Sequence, residues 1–205
     1  MTKLFKQIES LIPRLHGWAS VKKCQMLAAS VIALQPETSV IIGVWGGRDA
    51  LSLGLAHKYI SKGRVMAIDP WVAVASVQGQ SSANRDWWGR QPHEEVYRDF
   101  LNHRTALALN DIVLVHRMIS DYADVPKRID GVWICDGNHG PQAITDVNRF
   151  APAIEVGAFA MLDDIGWDGG HVQAARENLL RMGFRSLYTV DTSEVFQRFA
   201  KVEIQ

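Results

Sequence analysis

Two stretches of this chain end an apolar run in bare carboxylates: Trp133-Ile134-Cys135-Asp136-Gly137-Asn138-His139 and Ala160-Met161-Leu162-Asp163-Asp164-Ile165. Each run is strand-like in length, and ligands of open α/β sheets bind at the carboxyl tips of such strands. If the two are parallel neighbours, about 4.8 Å apart, Asp136, Asp163 and Asp164 converge on one point. Carboxylates crowded in this way repel one another, and a bound divalent cation resolves the repulsion. The bland alternative is that each aspartate caps the helix that follows it. Successive strand residues face opposite ways, so Asp163 and Asp164 share an ion only if the strand stops there. The turn-rich Ile165-Gly166-Trp167-Asp168-Gly169-Gly170 says that it does. His139, three residues beyond Asp136, is the histidine best placed to reach a substrate, where a neutral imidazole serves as a base. A loop histidine bonded to backbone explains it equally well. His171 is a weaker candidate on the same rim.

A second cluster lies earlier. Gly43-Val44-Trp45-Gly46-Gly47-Arg48-Asp49 joins an apolar strand to a helix, and glycines there let the backbone turn tightly and approach a ligand. The next strand ends in Ile68-Asp69-Pro70, with Asp69 26 residues after Gly43. An acid at that tip is placed to accept hydrogen bonds from a ribose diol. The loop is neither the G-x-G-x-x-G fingerprint nor a P-loop.

The elements that position these residues follow from periodicity. Residues 3–35 read as two amphipathic helices, with Ser20 as N-cap of the second and Pro36 as its stop. Strands are expected at 40–44, 64–68, 112–115, 131–135 and 156–162, and helices at 49–61, 93–109, 141–150 and 171–182. Two β segments, 186–190 and 195–200, close the chain. Their short connection forbids a parallel crossover, so they pair as an antiparallel hairpin. The expected fold class is α/β: a Rossmann-like, seven-stranded, mostly parallel sheet with an antiparallel terminal hairpin and helices on both faces. Residues 1–36 are N-terminal helices packed on a core domain of 37–205, one domain overall. Residues 70–92 break the rhythm with Trp71, Trp87 and Trp88 among polar residues. They read as a lid over substrate, as packing against the body, or as a dimer contact.

The chain has 205 residues, with 22 lysines plus arginines against 22 aspartates plus glutamates, and so carries no electrostatic footprint for nucleic acid or anionic membrane. No run reaches the roughly 18 apolar residues of a membrane span. Cys24 and Cys135 lie far apart, and the N-terminus lacks a signal-peptide core. A reducing, cytoplasmic setting is therefore expected. A homo-oligomer is compatible with all of this.

The order of motifs resembles the class I S-adenosylmethionine-dependent methyltransferases, more narrowly the group of cephalosporin-hydroxylase-like and macrolide-sugar O-methyltransferases. The resemblance covers roughly 37–190. It rests on Gly43-Val44-Trp45-Gly46-Gly47, Ala67-Ile68-Asp69-Pro70-Trp71, Ile134-Cys135-Asp136-Gly137-Asn138-His139 and Leu162-Asp163-Asp164-Ile165-Gly166. It implies S-adenosylmethionine held by Gly43, Val44, Trp45, Gly46, Gly47, Asp69, Pro70 and Asp136. It implies magnesium on Asp136, Asp163 and Asp164; a substrate hydroxyl bound there would give its proton to a catalytic His139 or to Asp136 itself. The substrate would be a hydroxyl of a small molecule, a sugar or natural product. Two positions depart from the pattern: Ile41 stands where the group carries an acid, and Asn138 where it carries aspartate. Ile41 favours a second reading, a non-catalytic protein that keeps the fold. A nicotinamide-dependent oxidoreductase is the third, disfavoured by the missing fingerprint and the closing hairpin.

Overall fold

The structure, a computed structural model, describes residues 1–200. Two N-terminal helices, α1 (Thr2–Leu11) and α2 (Val21–Leu34), lead into β1 (Thr38–Ile42), α3 (Arg48–Ile60) and β2 (Arg64–Ile68). Then come α4 (Ala73–Ser76), α5 (Ser82–Gly89), α6 (His93–Ala106), β3 (Val113–His116) and β4 (Val132–Cys135). The chain continues through α7 (Pro141–Phe150), β5 (Phe159–Leu162), α8 (His171–Arg181), β6 (Phe184–Val190) and β7 (Ser193–Arg198). Seven strands form one sheet in the order β3-β2-β1-β4-β5-β7-β6, parallel except where β7 pairs with β5 and β6.

Both faces of the sheet are covered, so the central strands are apolar throughout and their alternation separates two cores. Ile41, Val132 and Ile134 point to the face packed by α2 and α3; Val40, Ile42, Trp133 and Cys135 point to the face of α7 and α8. The expected α/β architecture and the terminal hairpin are both present. Differences lie at strand ends. The first strand stops at Ile42 because Gly43 turns left-handed, at φ +85°. The fifth starts at Phe159 because Val156 is exposed and Gly157 also turns left-handed. The 70–92 connection contains two short helices that a pattern so poor in periodicity does not announce. Among the described residues, no helix is long and apolar enough to cross a membrane.

From β1 the chain steps outward through β2 and β3, then returns to place β4 on the other side of β1. The switch point of the sheet is therefore the crevice between the tips of β1 and β4. Gly43 leaves one strand there and Asp136 the other.

Candidate active site

The crevice opens into a cavity of about 630 Å³, within the size range of small-molecule sites. Its floor is made by two loops in very close approach. The Asp136 amide donates to the Ile42 carbonyl at 2.8 Å, and a Cβ on Gly43 would lie 1.9 Å from the Asp136 carbonyl oxygen. A Cβ on Gly46 would meet the His16 carbonyl at 2.3 Å. The glycines are therefore required by backbone packing as well as by room for a ligand.

Asp69 sits at the tip of β2 as expected, on the cavity wall. Its Oδ2 accepts from the Val44 and Trp45 amides at 2.9 and 3.0 Å, and its Oδ1 from the Trp71 amide at 2.6 Å. Burial pushes this carboxyl up, and the three N–H groups pull it back without fully cancelling the rise. Asp69 thus shapes the glycine loop, with one acceptor position left, on Oδ1. Pro70 follows on the same wall.

The three aspartates at the tips of β4 and β5 reach the cavity but engage different partners. The backbone at Asp164 is left-handed, at φ +50°, and this separates its side chain from that of Asp163. Asp164 Oδ2 lies 3.2 Å from His139 Nε2, and His139 lies 4.0 Å from Asp136. Asp163 lies beside Asp136 and away from His139. Its Oδ1 accepts from the Thr192 and Ser193 hydroxyls, and its Oδ2 accepts from Lys23 Nζ at 2.9 Å.

Lys23 is a group the sequence pattern did not single out. Its side chain is 1 % exposed, 3.0 Å from Asp49 Oδ2 and 4.0 Å from Asp136. Burial works to lower its pKa, but the Asp49, Asp136 and Asp163 charges outweigh burial and hold it well above the usual lysine value. Asp163 is correspondingly drawn down to about 2: burial opposes this, and the Lys23 charge and the Ser193 hydroxyl prevail. Asp136 moves the other way, raised by burial and by the Asp163 charge beside it. A sequence signal existed: Lys23, Leu27 and Val31 share one helical stripe, and a lysine on an apolar stripe needs a buried partner. Ser20 caps α2 by accepting from the Lys23 amide at 3.1 Å, which fixes the start of that stripe.

These contacts decide how well the acidic trio fits a metal. Among the described residues, no group of three or more His, Cys, Asp or Glu side chains is placed to hold one ion. Asp163 is engaged by an ammonium and two hydroxyls, and Asp164 is turned to His139. As folded, the trio does not fit the magnesium that the sequence led us to expect.

Other departures now have reasons. Ile41 is 1 % exposed and packed in the core, so the position of the missing acid offers no polar atom to the cavity. Asn138 donates through Nδ2 to the Ala75 and Gln78 carbonyls at 3.0 and 2.6 Å, and its Oδ1 accepts from the Gly140 amide and from Gln80. An aspartate has no donor for the two carbonyls. His171 lies beside a small adjoining recess and not in the main cavity. Met118, Ser120, Asp121 and Gln142 form a further part of the cavity wall that sequence reasoning missed, because its residues come from the segment after β3 and from α7.

No family model matches the sequence, and no curated protein sequence matches it. Solved structures do. The O-methyltransferase NovP is 18 % identical, covering 87 % of this chain and 79 % of its own, at a TM-score of 0.67. The O-methyltransferase TomG from Streptomyces achromogenes, involved in tomaymycin synthesis and solved with SAM, is 15 % identical over 97 % and 89 %, at 0.62. An O-methyltransferase from Bacillus cereus solved with SAH is 13 % identical over 96 % and 91 %, at 0.61. The chain shares its fold with these O-methyltransferases. A methyltransferase fold at these identities establishes the architecture, and chemistry must be argued from the site.

Proposed function

We propose that this protein is an S-adenosylmethionine-dependent O-methyltransferase acting on a hydroxylated small molecule such as a sugar or other natural product. One observation carries the reading: the glycine loop with Asp69 and the His139–Asp164 pair open into the same cavity, joined at the Gly43–Asp136 contact. Gly43, Val44, Trp45, Gly46 and Gly47 would hold the cofactor, with Asp69 and Pro70 at its ribose and Asp136 at the junction with the acceptor. An acceptor hydroxyl on the far side of Asp136 lies next to His139.

Bound S-adenosylmethionine would supply an electrophilic methyl group, which the acceptor oxygen would take as the carbon–sulfur bond breaks, with the hydroxyl proton passing to a base. His139 fits that role: Nε2–H toward Asp164 leaves the lone pair on Nδ1, and Asp164 steadies the imidazolium. Asp136 holds the junction between cofactor and acceptor. No magnesium step enters this scheme, because the residues expected to bind the ion are engaged elsewhere. Ile41 supports the second reading, a non-catalytic protein with the same pocket, since the buried isoleucine has no polar atom to orient the amino-acid end of the cofactor.

Titration calorimetry with S-adenosylmethionine, S-adenosylhomocysteine and NAD tests the cofactor. The two sulfur compounds should bind and NAD should not; the reverse preference would end the methyltransferase reading. With the cofactor established, His139→Ala should abolish transfer while leaving cofactor affinity within about threefold, since His139 is placed on the acceptor side. Transfer that persists in this variant would remove His139 as the base.

A further inference from the structure

We propose that the Lys23 ammonium is a built-in cation, holding between Asp49, Asp136 and Asp163 the place a divalent ion would take. The site then works with an ammonium where the acidic strand tips suggest a metal. The inference deepens the methyltransferase reading and rests on it only for what the site is used for.

The placement is specific. Nζ is 2.9 Å from Asp163, which is partly buried, 3.0 Å from Asp49, which is buried, and 4.0 Å from Asp136 at the cavity edge. A divalent ion on the same Asp163 oxygen, at about 2.1 Å, would stand no more than about 5 Å from the ammonium, where two like charges repel strongly in a site so little exposed. The carboxylates are also matched to an ammonium. Lysine offers three N–H donors in a compact head, and Asp163 satisfies its remaining oxygen with hydroxyls from Thr192 and Ser193.

The rest of the N-terminal segment is built to deliver this head. The Ser20 amide and hydroxyl both donate to Asp191, at 3.0 and 2.9 Å, anchoring the start of α2 to the hairpin turn. Arg48 donates to the carbonyls of Leu15 and Ala19, pinning the preceding loop against the start of α3. Lys23 therefore arrives from a helix held at two points, with its stem along the apolar stripe of α2. Removing the ammonium would leave Asp49 and Asp163 buried without a counter-charge. That vacancy has the charge and the donors that attract a divalent ion.

The test uses Mn2+ and the full-length protein without cofactor or acceptor, following the free Mn2+ signal by electron paramagnetic resonance. Wild type should leave the signal undiminished into the millimolar range. Lys23→Ala, checked for folding by circular dichroism, should bind Mn2+ at least about tenfold more tightly than wild type. Lys23→Ala/Asp163→Asn should lose that gain. Stoichiometric Mn2+ uptake by the wild type, abolished by Asp163→Asn, would overturn the proposal. So would a folded Lys23→Ala with no gain. If the alanine variant does not fold, the wild-type titration decides alone. S-adenosylmethionine affinity measured separately, equal in EDTA and in Mg2+, completes the case. Its absence altogether would sink the methyltransferase reading and leave the Mn2+ result standing.

Discussion

Asp69 and Asn138 show how single side chains tie mobile-looking backbone to the rigid sheet. Asp69 spends three of its four acceptor positions on loop amides, so Asp69→Ala should both loosen the glycine loop and remove a ribose contact. Loss of charged hydrogen bonds of this kind costs about 1.5–3 kcal/mol, a fall of roughly ten- to a hundredfold in S-adenosylmethionine affinity. Calorimetry giving an unchanged affinity would remove Asp69 from the site. At Asn138 the decisive atoms are two N–H donors aimed at the Ala75 and Gln78 carbonyls. Asn138→Asp sets a carboxylate oxygen against those carbonyls, and should lower stability by about 1–3 kcal/mol in urea denaturation. An unchanged midpoint would mean that the 73–80 segment does not depend on this side chain.

Among the elements, the contact between the β1 and β4 tips is the tightest constraint. Gly43 is left-handed and faces backbone, so neither strand can yield without breaking its ladder register. Gly43→Ala should cost on the order of 3 kcal/mol and abolish cofactor binding, whereas a tolerated alanine would show that the crevice is more pliable than its geometry. On α7, the buried Asp146 is raised from 3.8 to about 6, first by burial, against the pull of its Ser120 and Gln142 hydrogen bonds. Because the folded value is the higher, the fold favours the protonated form. Its contribution is present in full below the unfolded value and is lost as pH rises through about 6. Asp146→Asn should therefore flatten the decline in stability between about pH 4 and about pH 6, by up to about 3 kcal/mol relative to wild type. Parallel stability profiles for the two proteins would contradict this.

Across the whole molecule, the 70–92 connection divides into two parts with different roles. Trp71 belongs to the core: it is 2 % exposed, is stacked 5.5 Å from Phe100, and donates through Nε1 to the Trp45 carbonyl. Trp87 and Trp88 instead form a rim with Trp18 and Trp45, at centroid distances of 4.8 to 5.9 Å, beside the cavity mouth. We expect hydrogen exchange at residues 73–91 to slow when S-adenosylhomocysteine binds, while the Trp71 amide stays protected throughout. Protection that is high and unaltered along the entire segment would make it fixed packing.

The sequence by itself determined the order of elements and the residues at their tips. Burial periodicity is local, and it marks strands such as Val132–Cys135 and the helix Pro141–Phe150 without reference to anything distant. It also determined that Gly43, Asp69, Asp136, Asp163 and Asp164 end at one edge of the sheet, because parallel strands align their carboxyl tips. Only the tertiary structure decided which partners those tips meet. Lys23 reaches Asp163 across 140 residues, and no local pattern specifies a contact made by packing a helix onto a sheet. The left-handed turn at Asp164, which sends one aspartate to His139 and leaves its neighbour with Lys23, was equally out of reach. A single backbone dihedral there divides a trio that the sequence presents as one set.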